Sequence, residues 1–375
     1  MKKTVLQIGI LTTIITVIVV LGEDVWARNR EAVIQSRLLA QEADWTNRPI
    51  RHFRNGTEFQ KFVRRIPIRK GKMSDNDIWD RWQAALWGSV FDNTRLSIRI
   101  LDWLDDQVQT VVDQDQIDLA KARAYFQQPD LNKTVEHYKK IPSESDYWLE
   151  AQEELAWTYL RLNQHNKTIS ALATVASPVF SNIIPAEPYF LKTLTHLQIC
   201  DYPQVFKTTK LFKENFNKRI PSLQQLASQG TTVDAEKAVD QLAAAPFRLT
   251  SVGLQAPHLP TLFWRDQFFQ RHILNWRQSK SPTFRARAVR RLQELAQRDL
   301  KEISAMVQKM HIVEAEAIQR LHMDVHLTDT HVQQENKKDN KDQLYFPYTS
   351  EVWLDELDSY QAKVKDCPTL RKASL

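Results

Sequence analysis

Between Ile117 and Pro221 the chain repeats itself. Setting Leu131-Asn132-Lys133-Thr134 beside His165-Asn166-Lys167-Thr168 brings five positions into a 34-residue register: Ala122 with Ala156, Tyr125 with Tyr159, Thr134 with Thr168, Tyr138 with Leu172, and Ile141 with Val175. A small residue and an aromatic three apart suit one helix of a hairpin. A small residue followed by apolar ones at +4 and +7 suits its mate, because the two helices touch there. A more divergent third unit follows, with Phe190, Leu194 and Leu197 on one helical stripe and Val205, Phe212 and Phe216 on the next. Pro142, Pro178 and Pro221 stand where helices should stop. Even a chance match of the Asn-Lys-Thr triplets would leave an antiparallel helical array.

A 34-residue period is that of the tetratricopeptide repeat (TPR), so the expected fold is all-α, a superhelical TPR-like array of helix hairpins followed by a long C-terminal helix. Glycine supports this. Only 7 are present in 375 residues, too few for the phosphate-cradling loops of nucleotide-binding α/β folds or the tight turns of all-β folds. A hydrophobic content of 42% with 11 tryptophans excludes a disordered chain.

Met1-Lys2-Lys3 precedes an apolar run from Val5 to Leu21, and Val25-Trp26-Ala27 fits a signal-peptidase site. Residues 1–27 are therefore read as a signal peptide, or as an N-terminal anchor through residues 5–21 if uncleaved. Charge placement puts the remainder outside the inner membrane: periplasmic, and either inner-membrane anchored or outer-membrane associated. Cys200 and Cys367 can pair in that oxidising compartment, although Cys200 also fits a buried helix stripe as a free, small apolar residue.

Residues 28–115 read as a helical region, one amphipathic helix to about Lys70 and then a Trp-rich pair carrying Trp79, Trp82, Leu86 and Trp103, expected to be core and to cap the array. Lys61, Arg64, Arg65, Arg69, Lys70 and Lys72 form a basic run expected to be a solvated loop. Residues 116–245 hold the repeats. Residues 246–280 read as an extended connector, a boundary, followed by an aromatic helix. Ser281-Pro282 opens a helix expected to run to 335. Its apolar stripe needs either a helix of this chain or a second molecule in a homodimer. Residues 336–375 read as a linker and an aromatic, acidic tail helix.

Catalytic signatures are missing. No P-loop, Gly-flanked serine elbow or Cys-x-x-Cys occurs, and His322 and His326 lack the Glu of a zinc-protease helix, Met323 standing there instead. No cofactor, metal or nucleic acid is expected. The enzyme alternative is a peptidoglycan-binding or glycan-acting protein of the lytic-transglycosylase type, whose acid would come from Glu294, Glu302, Glu314 or Glu316 on a helix with no sugar-binding groove around it.

Two stretches carry a resemblance. Ser170 to Phe180, running into Pro185 to Lys192 and Cys200-Asp201-Tyr202, is similar to the repeat core of the TPR-containing envelope proteins of the myxobacterial gliding-motility (Agl/Glt-like) machinery. The tail Glu351-Val352-Trp353-Leu354-Asp355-Glu356-Leu357 with Tyr360 resembles that group's closing element. The resemblance implies a non-catalytic subunit of an envelope or outer-membrane complex of gliding, adhesion or surface-polymer type, with other envelope proteins as partners. Partner-binding positions on the groove side of the first helix of each hairpin are then Gln152, Thr158, Arg161, Lys192 and Thr195.

Overall fold

A computed structural model describes residues 51, 53–66, 73–107, 111–244, 249–322, 331–334 and 360–363. The expected signal segment at 1–27, the second half of the basic run at 67–72, the acidic tail at 344–357 and Cys367 lie outside them. The described chain is all-α apart from one short strand pair. It forms two compact units that divide between Asp113 and Gln114.

The first unit holds α1 (Gly56–Arg65), α2 (Asp75–Val90) and α3 (Thr94–Asp105). Asn55 caps α1 by accepting from the Glu58 amide, so Lys61, Arg64 and Arg65 stand on a helix rather than in the expected loop. A capping box between Ser74 and Asp77 opens α2. Trp79, Trp82 and Trp87 are buried as core, with Trp87 and Phe91 stacked and Phe53 set edge-on to Trp87. Gly88 lets α3 approach α2: a Cβ there would meet Ser97 Oγ at 2.5 Å.

The second unit opens with three hairpins. They are α4 (Gln114–Gln127) with α5 (Leu131–Lys139), α6 (Trp148–Arg161) with α7 (His165–Val175), and α8 (Glu187–Gln198) with α9 (Tyr202–Asn217). The second helix of each of the first two hairpins also packs on the next hairpin, α5 on α6 and α7 on α8. The register seen in sequence is geometric in the first two. Ala122 and Ala156 are fully buried where the helices cross. Thr134 and Thr168, also fully buried, return their hydroxyls to the carbonyls of Asp130 at 3.0 Å and Gln164 at 3.2 Å. Lys133 and Lys167 lie over the Tyr125 and Tyr159 rings at 4.9 and 5.5 Å. The third hairpin repeats the turn: Asn163 and Cys200 both take positive φ, and the following amides bond back to Tyr159 and His196, each at 2.9 Å.

The chain continues through α10 (Ile220–Gln229), closed by Gly230 at φ 80°, and α11 (Val233–Ala244). Pro221 opens α10 in its first turn. The described part of the connector is not extended. Residues Leu249–His258 form two 3-10 turns joined at Gly253, and Val252, Ala256 and Leu259 are buried. The expected single aromatic helix is a 3-10 turn, Thr261–Trp264, and a separate α12 (Gln267–Ser279), because Asp266 caps the latter at the Phe269 amide.

The last helix, α13 (Pro282–His322), is 41 residues long, about 60 Å at 1.5 Å per residue. It lies against α8, α9, α10, α11 and α12. Ala288, Leu292, Leu295, Ala296, Ile303, Met306, Met310, Val313 and Ala317 are buried along it, so the stripe that needed a partner is covered within the chain and offers a homodimer no seam on that face. Residues expected in this helix near 335 are instead strand β1 (His331–Gln334), whose backbone pairs antiparallel with β2 (Tyr360–Lys363). The strand β2 runs beside α7. Cys200 is disulfide-bonded, and the sequence holds one other cysteine, Cys367.

Tyr159 is 5% exposed at the hairpin crossing. Tyr159→Ala is expected to lower unfolding free energy by about 3 kcal/mol through the cavity it leaves, read as a lower urea midpoint.

Candidate functional site

Helix α6 turns one polar stripe, Glu150, Glu153, Glu154 and Trp157, toward the rest of the second unit. These positions recur at the three- and four-residue spacing of one helix face. Arg123 of α4 bonds Glu150 Oε1 at 2.6 Å and Glu154 Oε2 at 2.8 Å, and the Tyr138 hydroxyl donates to Glu154 at 2.6 Å. Arg265 reaches Glu153 with both terminal nitrogens, at 3.0 and 2.7 Å. These planar forks match the carboxylates, which is why arginine serves here.

Helix α13 adds a further acidic group. Glu302 Oε1 accepts from the amides of Ala186 at 3.0 Å and Glu187 at 3.3 Å, so it caps the start of α8 from another helix. One turn earlier, Asp299 accepts from the amide and hydroxyl of Thr261 at 2.6 and 3.0 Å. Burial pushes the Glu302 carboxyl up to about 8, with Asp299 and Glu187 adding like-charge repulsion. Burial likewise raises Glu187 to about 7, reinforced by Glu153 and opposed by Lys309 and a hydrogen bond from Trp157. Asp299 rises to about 6 by burial, against the Thr261 bonds. Lys309 is lowered by burial although Glu187 and Glu302 pull it up. The seam between α6, α8 and α13 therefore favours protonated carboxyl groups near neutral pH, and half-buried Trp157, which bonds Glu187, borders it.

The five positions named from sequence separate. Thr158 and Thr195 are fully buried and donate to the carbonyls of Glu154 and Leu191 within their own helices, so neither presents a surface to a partner. Helix periodicity misassigned them because a back-bonded threonine counts as apolar in packing. Gln152 is half-buried; Arg161 is exposed, its guanidinium 4.5 Å from the Phe126 ring centre. Lys192 is half-buried on α8, its ammonium disfavoured by burial and then by Lys207. Beside it His196, 2% exposed, faces Asp201 at 3.4 Å.

The four carboxylates weighed for an enzyme are spread along α13 and engaged. Glu294 meets Arg291 at 2.7 Å, Glu314 meets Lys213 at 3.4 Å, Glu316 meets Arg320 at 2.8 Å, and Glu302 holds the α8 amides. Among the described residues no group of three or more His, Cys, Asp or Glu is arranged to hold a metal ion. Nor is any described helix long and apolar enough to cross a membrane; residues 5–21 lie outside that search.

Comparison with protein-family models and with curated proteins finds no match for this chain.

The raised carboxyls fix a sign. With Glu302 at about 8 when folded and near 4.3 in an unfolded chain, the unfolded state binds fewer protons between these values. Stability is full below the unfolded value and is lost as pH rises through the folded one. Thermal melts should fall by several degrees between pH 5 and pH 8, and Glu302→Gln should flatten that fall.

Proposed function

We propose that this protein is a non-catalytic, exported scaffold with a TPR-like array that binds other envelope proteins. The observation that carries the reading is the repeated hairpin: the same buried alanine, the same back-bonded threonine and the same lysine over tyrosine recur 34 residues apart. A fold that repeats packing contacts along one direction builds extended surface, which suits binding rather than bond-making. The disulfide at Cys200 fits an oxidising compartment, as does the basic start and apolar run of the first 27 residues. Assignment to a gliding, adhesion or surface-polymer complex rests on the two stretches of resemblance alone.

A glycan-acting reading draws on one observation. Glu187 and Glu302 hold protons near neutral pH as a general acid must. The backbone bonds at Glu302 Oε1 weigh against it, because they fix that carboxyl to a helix start.

Mild cross-linking of the natively expressed protein in whole envelopes, followed by affinity purification and mass spectrometry, tests the scaffold. Several envelope proteins recovered in fixed proportion, with a peptide beginning at Arg28, are expected, and Gln152→Arg combined with Arg161→Glu should reduce their recovery without lowering the melting temperature. Recovery of the protein alone, or with peptidoglycan fragments whose release stops in Glu302→Gln, would overturn it.

A further inference from the structure

Helix α1 buries an apolar side and turns a basic one to solvent. Phe59 and Phe62 are buried. Lys61, Arg64 and Arg65 are exposed, at the three- and four-residue spacing that puts side chains on one helix face. Two more exposed cations, Arg51 and Arg54, precede the helix. The Phe53 ring packs on Phe59 and Phe62, at 5.6 and 5.0 Å between centres, and so folds this lead-in segment against α1. Arg51 is thereby brought alongside the helix, its guanidinium 5.0 Å from the Phe62 ring centre and 3.6 Å from Asp80. Glu58 is the acid of α1, and its carboxylate accepts from the Arg54 amide at 2.9 Å.

Helix electrostatics accounts for part of this charge. Arg64 and Arg65 lie in the last turn, where cations offset the negative end of the helix. Arg51 and Arg54 stand before the opposite, positive end, where the dipole disfavours a cation, so their presence needs another cause.

The chemistry of the surface and its place in the chain point to one kind of partner. Single-stranded nucleic acid is held by rings on which bases stack, and the rings at α1, Phe53, Phe59 and Phe62, are packed against one another instead. An anionic headgroup layer requires only several exposed cations on a small area. Residues 22–50 separate these cations from the apolar run Val5 to Leu21, a stretch of about 100 Å even when fully extended. A retained run therefore keeps them within reach of a bilayer.

We propose that the basic side of α1, Lys61, Arg64 and Arg65 together with Arg51 and Arg54, binds an anionic lipid surface. The contact is electrostatic and reversible. Because Phe59 and Phe62 are committed to the interior, neither enters the acyl layer, and binding follows lipid charge and fades with salt. The proposal rests on the exported reading only for which membrane is met, and vesicles that hold no other protein test the surface independently of any envelope partner.

In the full-length protein, Gln60, exposed on α1, is replaced by the photo-cross-linker p-benzoylphenylalanine, and the protein is reconstituted with lipid vesicles. Illumination and mass spectrometry of the α1 peptide then measure lipid adducts. Adducts are expected on vesicles with about one-third phosphatidylglycerol, and about tenfold fewer on pure phosphatidylcholine or in about 0.5 M sodium chloride. The same loss is expected in a combined Lys61→Gln, Arg64→Gln and Arg65→Gln variant of unchanged melting temperature, and the salt series tests the contact without any change of charge on the protein. Absence of adducts, an equal yield on phosphatidylcholine, or a yield unchanged by salt or by the variant overturns the proposal. A single-stranded oligonucleotide that takes the cross-link from the lipid at equal phosphate concentration also overturns it, in favour of nucleic acid.

Discussion

The apolar stripe of α13 is the surface on which the second half of the second unit assembles. Helices α8 to α12 each meet it, and Leu292, Ile303, Met310 and Val313 are buried there with almost no exposed surface. None of the shorter helices could bury its own apolar face alone, since 10 to 16 residues form a marginal helix in water without tertiary packing. One long element thus supplies a common wall. Its polar side chains act at the ends of other elements: Asp299 holds Thr261, Glu302 starts α8, and Arg291 grips Asp266, which itself caps α12.

That arrangement places carboxyl groups where water is scarce. Arg123 and Arg265 answer Glu150, Glu153 and Glu154 with salt bridges. Among the described residues, Lys309 is the cation that acts on both Glu187 and Glu302. Retaining a proton is the lower-energy solution for them, and neutral carboxyls can sit close where two charges would repel. Helix docking and proton binding are thereby one equilibrium.

Much of the helical plan was legible in the sequence. The 34-residue register, the scarcity of glycine and the stripe through Val289 and Met310 all report local or one-dimensional facts, and those survive folding. Trp79 and Trp82 are core because their spacing is that of a helix face, whereas Trp103, expected beside them, is half-buried. Illegible features were those that depend on distant residues. Nothing near Glu302 in sequence shows that it meets residues 186 and 187. The prolines after Ala245 point to an extended connector, yet 3-10 turns tolerate proline, and Arg219 satisfies the Leu259 carbonyl at 2.7 Å. Of the site, Lys192 was visible as a helix-face position.

The reach of α13 also sets the order in which this protein can acquire its shape. The first two hairpins close with neighbours a few dozen residues away, and contacts that local form early. Helices α8 to α12 wait for a wall whose residues can come more than a hundred positions later, such as Glu302 for Ala186. If the chain is threaded through a membrane in extended form, it emerges with its repeats able to fold and their continuation still open. Until α13 arrives, the apolar faces of five helices depend on whatever binds unfolded chains in that compartment.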